Sequence, residues 1–201
     1  MSEKKLMLEI FRKKNAEEFS AAISDPESRA DTGSAMAAVG ASAAALLHRA
    51  CAMCGNSQDE KLVWLLRNTE ILRTYMVNLI DEDVKCRGPL RRALKENDER
   101  SIEAARQTGV NICSEIIHMM QTCLEMAEGL IPFADQRAAS YVKESAELAL
   151  AAAKGCVPYI LMMGSYSTDD TYRYIIRREN ELNMEELTRV YTKIQEALAA
   201  M

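Results

Sequence analysis

Residues 34–53 read SAMAAVGASAAALLHRACAM. Alanine and leucine are the strongest helix formers, and no proline interrupts the run. With side chains advancing 100° per residue along a helix, Ser34, Ala38, Ala41, Ala45, His48 and Ala52 share one face, and Met36, Val39, Leu46, Leu47 and Met53 share another. A helix apolar or small on two faces packs on both, so the stretch predicts a central helix with close neighbours. Asp31-Thr32-Gly33 forms its entrance and Gly55-Asn56 its end.

The rest of the chain repeats this grammar. A short helix over Ala16–Ile23 stops at Ser24-Asp25-Pro26, since proline disfavours the helical conformation in the residue before it. A third helix runs from about Ser57 to Arg87, with Leu62, Leu66, Leu72, Met76, Leu79 and Ile80 at helical spacing, and is expected to end or kink sharply at Gly88-Pro89. A fourth spans about Asp98–Glu128 on Ile102, Ala105, Ile112, Ile116, Met120, Cys123 and Ala127, and Gly129-Leu130-Ile131-Pro132 follows as a short connection. The fifth, about Phe133–Met163, is as alanine-rich as the second and carries Pro158. A last helix begins at Thr168-Asp169-Asp170, with a break expected near Asn183, and ends at Met201. The fold class is therefore all-α, an up-and-down bundle of five to six helices forming a single domain over 1–201. The alanine-rich second and fifth helices offer more close-contact surface than such a bundle needs, so a homodimer is expected.

Twenty-five Lys and Arg against 30 Asp and Glu give a net charge of −5, which leaves no global basic field for nucleic acid or an anionic membrane. Glu9, Arg12 and Lys13 break up the first 15 residues, so no signal peptide is expected. The alanine run from Ser34 to Leu47 reads as too short to span a bilayer. A soluble cytoplasmic protein is the expectation, with Cys51, Cys54, Cys86, Cys113, Cys123 and Cys156 as reduced thiols.

Two carboxylates stand out. Asp83 lies three residues after Ile80 and four after Leu79 and so continues the apolar stripe, as an inward-facing acid or base would, or as the last residue of a stripe emerging into solvent. Asp135 lies at the centre of the stripe made by Val142, Ala149, Ala153 and Cys156, but also in the first helical turn, where capping and the helix dipole explain a carboxylate fully. His48, Cys51 and Cys54 spell H-x-x-C-x-x-C, yet three-residue steps splay around a helix and no second pair completes a tetrahedral set, so no metal is expected. His48 reads as a satisfied helix-contact histidine, and His118 points opposite its helix's apolar stripe. The basic clusters Lys85–Arg92 and Arg173–Arg178 suit a polyanion or a solvated helix face. Phosphate-binding loops and serine-nucleophile elbows are absent.

Several signals recur in a recognisable order: Glu18-Phe19 in a short helix, Gly33-Ser34 opening an alanine-rich helix, Leu79-Ile80-Asp81-Glu82-Asp83, and Asp135 opening another alanine-rich helix. From about Ala16 to the end, the chain resembles the cyclodeaminase/cyclohydrolase family, which comprises the C-terminal domain of formiminotransferase-cyclodeaminase and stand-alone bacterial methenyltetrahydrofolate cyclohydrolases. The family's Pro-Gly-Gly-Gly-Ser entrance corresponds to Ala30-Asp31-Thr32-Gly33-Ser34, and its Asp-Glu-Asp-Ala-x-x-Phe segment to Asp81, Glu82, Asp83, Val84 and Arg87. Its Ser-Asp pair becomes Ala134-Asp135, and Pro158 and Met162 stand at its Asn-x-x-x-Asn pattern.

The resemblance implies a helical homodimer that either opens the methenyl bridge of a tetrahydrofolate with water or cyclises formiminotetrahydrofolate with loss of ammonia. It implies Asp83 as the acid/base, Asp81 tuning it by like charge, Gly33 and Ser34 contacting the ligand and Asp135 orienting the pterin. Proton transfer and positioning suffice for this chemistry, so no cofactor beyond the folate substrate is expected. The alternatives are a catalytically inactive binding or assembly protein on the same fold, and a helical scaffold turned to another small ligand.

Overall fold

The computed structural model describes residues 10–55 and 59–201, which form helices throughout, with no strand among them. Six are α-helices: α1 (Ala16–Ser24), α2 (Thr32–Met53), α3 (Glu60–Glu96), α4 (Glu99–Leu130), α5 (Gln136–Ser165) and α6 (Asp170–Ala199). Single 3-10 turns over Phe11–Lys13 and Ile131–Phe133 precede α1 and α5. Ser57 and Asn56, expected at the start of the third helix and the end of the second, fall outside the described residues.

Each α-helix begins on a polar cap. Asn15 and Glu18 form a reciprocal capping box on α1, and Asp31, Asp59, Asp98, Asp135 and Asp169 each accept a first-turn amide of their own helix. Short connections make successive helices antiparallel, and one apolar core joins α2 to α6. α2 packs most extensively on α3 and α5, α4 closes the four-helix centre, and α6 lies across α4 and α5. Close approach of α2 and α5 is visible at Gly155, where the Met36 side chain fills the space a Cβ would take.

Three boundaries differ from the sequence reading. α3 does not end at Gly88-Pro89 but continues through it to Glu96. The clash that normally bars helix before proline involves the preceding residue's Cβ, and Gly88 has none. Beyond it, Ala93 is buried and Arg91 donates to the carbonyls of Glu27 (2.7 Å), Ser28 (2.8 Å) and Pro26 (3.3 Å), so contacts with the connection before α2 hold the extension. α6 is likewise unbroken at Asn183, because Ile176, Leu187, Val190 and Ile194 keep one face buried across it. Gly129 and Leu130 belong to α4 rather than to the connection.

α2 and α5 are each long and apolar enough to cross a bilayer on length and composition, the alanine run being part of a 22-residue helix. Here they form the central pair of the bundle. Both keep an open side, with Ala35, Ala38, Ser42, Ala45, Arg49 and Ala52 along α2 and Leu148, Ala151, Gly155, Pro158 and Met162 along α5 at least partly exposed.

Candidate active site

The stripe of α3 carries Asp83 inward, where it is fully buried. Its Oδ2 accepts the backbone N–H of Ser34 at 2.9 Å and lies 2.9 Å from Ser34 Oγ. That amide is one of those the first turn of α2 leaves without an intrahelical acceptor, so Asp83 caps α2 from another helix, at the positive end of its dipole. Ser34 Oγ is also 3.0 Å from the carbonyl of Ile80. Its single proton serves either that carbonyl or the carboxylate, and a protonated Asp83 would donate into the chain instead.

Burial pushes the Asp83 carboxyl above its ordinary value of 3.8, against the opposing pull of the Arg87 charge and the two Ser34 contacts. A buried carboxyl raised in this way is a candidate for proton transfer. Oδ1 has no hydrogen-bond partner among the described residues; the nearest cation is Arg87, with Nη2 at 4.0 Å.

Arg87, one turn further along α3, closes the site. Its guanidinium lies 4.7 Å from the centre of the Tyr159 ring and 2.7 Å from the Asp31 carboxylate. The contact with Asp31 is an ion pair off the hydrogen-bond axis, since Nε and Nη2 make no hydrogen bond to the described residues. Tyr159 reaches this position because Gly109 on α4 leaves room for its hydroxyl; a Cβ there would meet the oxygen at 2.7 Å.

Three of the residues singled out from the sequence are therefore brought together: Gly33, Ser34 and Asp83. Gly33 and Ser34 are themselves buried and contact Asp83, with the Gly33 Cα packed against the carboxylate. Asp81 points elsewhere. Its carboxylate accepts the amides of Phe11 (2.8 Å) and Arg12 (3.2 Å) and pairs with the Arg12 side chain at 3.2 Å, which docks the first 3-10 turn onto α3. Asp135 accepts the Ala138 amide at 2.7 Å as the cap of α5, and its charge is felt by Cys54 at the far end of α2, a helix length from Ser34. The structure does not bring either aspartate to Asp83.

Sequence reasoning missed Asp31, Arg87 and Tyr159 as a group. Arg87 was open to detection, since it lies four residues after Asp83 and so on the same side of α3. His48 is a helix-contact histidine, with Nδ1 3.1 Å from Thr69 Oγ1 and 3.2 Å from the Leu66 carbonyl. His118 faces α6, 3.2 Å from Asn183. Much of the basic clusters is engaged locally: Lys85 with Glu82, Arg91 with backbone carbonyls, Arg173 with Asp170 and the Ser167 carbonyl, and Arg178 with Glu181. All six cysteines are free thiols.

Residues 15–182 match the formiminotransferase-cyclodeaminase family. The chain belongs to that family. Its fold is also that of a solved structure from Thermotoga maritima described as a formiminotetrahydrofolate cyclodeaminase, at a TM-score of 0.86 and 18% identity, covering 94% of this chain and 97% of that one. No curated protein matches the sequence. In this chain the acidic segment of α3 meets the start of α2 at the buried Ser34–Asp83 contact.

Proposed function

We propose that this family member is a one-carbon tetrahydrofolate enzyme, either hydrolysing methenyltetrahydrofolate or cyclising formiminotetrahydrofolate with release of ammonia. The observation that carries the reading is Asp83, with one oxygen fixed by Ser34, the other free of hydrogen bonds, and its carboxyl raised by burial. In hydrolysis, Asp83 takes a proton from the water that attacks the bridging carbon and returns it to N5 as the carbon–N5 bond breaks, while the remaining hydroxyl proton is released to solvent as the formyl C=O forms. In cyclisation, N10 attacks the carbon of the protonated formimino group, and Asp83 takes the N10 proton and delivers it to the NH2 nitrogen, which leaves as ammonia as the cationic methenyl bridge forms. Both steps need one group that is base first and acid second. Arg87 stands beside Asp83, with Nη2 4.0 Å from Oδ1, at the edge of the site that substrate would approach. Cytoplasmic location and a homodimer across the open alanine faces of α2 and α5 complete the reading.

A second reading is a member that keeps the fold for binding or assembly without turnover. It is favoured by the complete enclosure of Asp83 and by its role as a cap for α2. Titration calorimetry with a stable tetrahydrofolate, together with the decay of methenyltetrahydrofolate absorbance, separates the two. Binding with turnover supports the enzyme; absence of both supports the second reading.

A further inference from the structure

Arg87 has more hydrogen-bonding capacity than its surroundings use. Its side chain is only 11% exposed, yet Nε and Nη2 donate to no described residue. Arg87 lines a cavity of about 300 Å³ together with Asp31, Ser28, Ala30 and Leu90, while its Nε and Nη2 are themselves enclosed. That volume is at the low end for small-molecule sites, enough for a flat head group rather than a whole folate. Arg91, on the same wall, is already committed to the carbonyls of Pro26, Glu27 and Ser28.

The cavity therefore sets a donor, the largely enclosed Arg87, 2.7 Å from an acceptor, the half-exposed Asp31 carboxylate. Side by side, they complement a cyclic amide edge, in which a carbonyl oxygen adjoins a ring N–H. A tetrahydropterin has such an edge at its 4-oxo group and N3–H. The 4-oxo group is moreover peri to N5, the nitrogen that carries the one-carbon unit. A residue that holds the 4-oxo group must then sit beside whatever acts on that unit, and Arg87 Nη2 is 4.0 Å from Asp83 Oδ1.

We infer that Arg87 binds the 4-oxo group of the pterin while Asp31 accepts from N3–H, so that this pair sets the orientation of the ring and presents its one-carbon unit to Asp83. The inference rests on the folate reading above. Pairing with Asp31 balances the guanidinium charge, so a cationic methenyl bridge beside it meets no net repulsion. The Tyr159 ring, its centre 4.7 Å from the guanidinium, helps to hold Arg87 in place.

The test compares calorimetric binding of 5-formyltetrahydrofolate and its 4-amino-4-deoxy counterpart, whose edge has the opposite donor and acceptor order. Wild type, Arg87→Met and Arg87→Lys are measured after confirming matched thermal unfolding. Wild type is expected to prefer the 4-oxo compound by about tenfold or more, the worth of one well-made hydrogen bond. Arg87→Met should lose that preference by weakening the 4-oxo compound alone, and Arg87→Lys should fall between. Equal binding of the two compounds by wild type, or a preference that survives in Arg87→Met, overturns the inference and leaves the folate reading standing. Binding of neither compound by wild type overturns both. Should Arg87→Met not fold, the wild-type ratio still decides.

Discussion

Gly33 and Asp83 occupy one space: a Cβ on Gly33 would lie 2.6 Å from the Asp83 Cγ. The carboxylate is held by Ser34 on its other side and cannot retreat without losing those bonds. Gly33→Ala is therefore expected to destabilise the fold by about 1–3 kcal/mol, the usual cost of overpacking. In a chain of this length that lowers Tm by roughly 2–4 °C per kcal/mol, measurable by calorimetry. An unchanged Tm would mean that α2 and α3 separate freely at this point.

Asp83→Asn keeps an oxygen able to accept both Ser34 groups, so fold and association should persist. Turnover of methenyltetrahydrofolate should fall by roughly 10² to 10⁴ for loss of a proton-transfer group. Equal turnover would remove Asp83 from the chemistry.

The same variant carries a pH signature. The folded carboxyl is raised above 3.8, so between that value and its folded value the native state binds more protons than the unfolded one. Asp83 then contributes stability that is fully present below the ordinary aspartate range and is lost as pH rises through the folded value. The Tm of Asp83→Asn relative to wild type should rise with pH across that window, as read from paired melting curves. A difference that stays flat would contradict it.

Asp81→Asn should leave turnover within a few-fold of wild type while loosening the 3-10 turn over Phe11–Lys13, since its partners are Phe11 and Arg12. Faster hydrogen exchange at those amides, with slow exchange retained at Ser34, is the expected pattern. A collapse of turnover equal to that of Asp83→Asn would restore Asp81 to the mechanism.

Thiol reactivity should divide by position. Cys51, Cys113, Cys123 and Cys156 are buried, and it is this enclosure that sets them apart, since burial pushes Cys51 and Cys86 alike up to about 11. In native protein only the half-buried Cys54 and Cys86 should react with a thiol reagent near neutral pH, with all six reacting in denaturant. Rapid modification of four or more in the native state would contradict the packing.

The six α-helices were legible in the sequence because each writes its own stripe and its own cap, as Leu62, Leu72, Met76 and Leu79 do on α3 and Asp98 does before α4. Asp83 was legible for the same reason. Its neighbours were not, because a stripe records which side of one helix is covered and not what covers it. Gly33, expected as a ligand contact, lies directly under Asp83, a packing relation that no stripe records. Asp81 shares a three-residue segment with Asp83 but faces a segment about 70 residues away in the chain. Pro89 read as a terminator, because the rule it follows depends on the Cβ that Gly88 lacks.

The open row of α2, made of Ala35, Ala38, Ser42, Ala45 and Ala52 around Arg49, has a thermodynamic side. Alanine has no rotamers to freeze, so covering this row costs almost no side-chain conformational entropy, whereas a surface of leucines or lysines would be charged for each immobilised chain. The apolar area each alanine offers is correspondingly small. Any association there gains mainly from how closely two backbones can approach. Lengthening one side chain at Ala45 should therefore weaken it more than adding hydrophobic area could strengthen it.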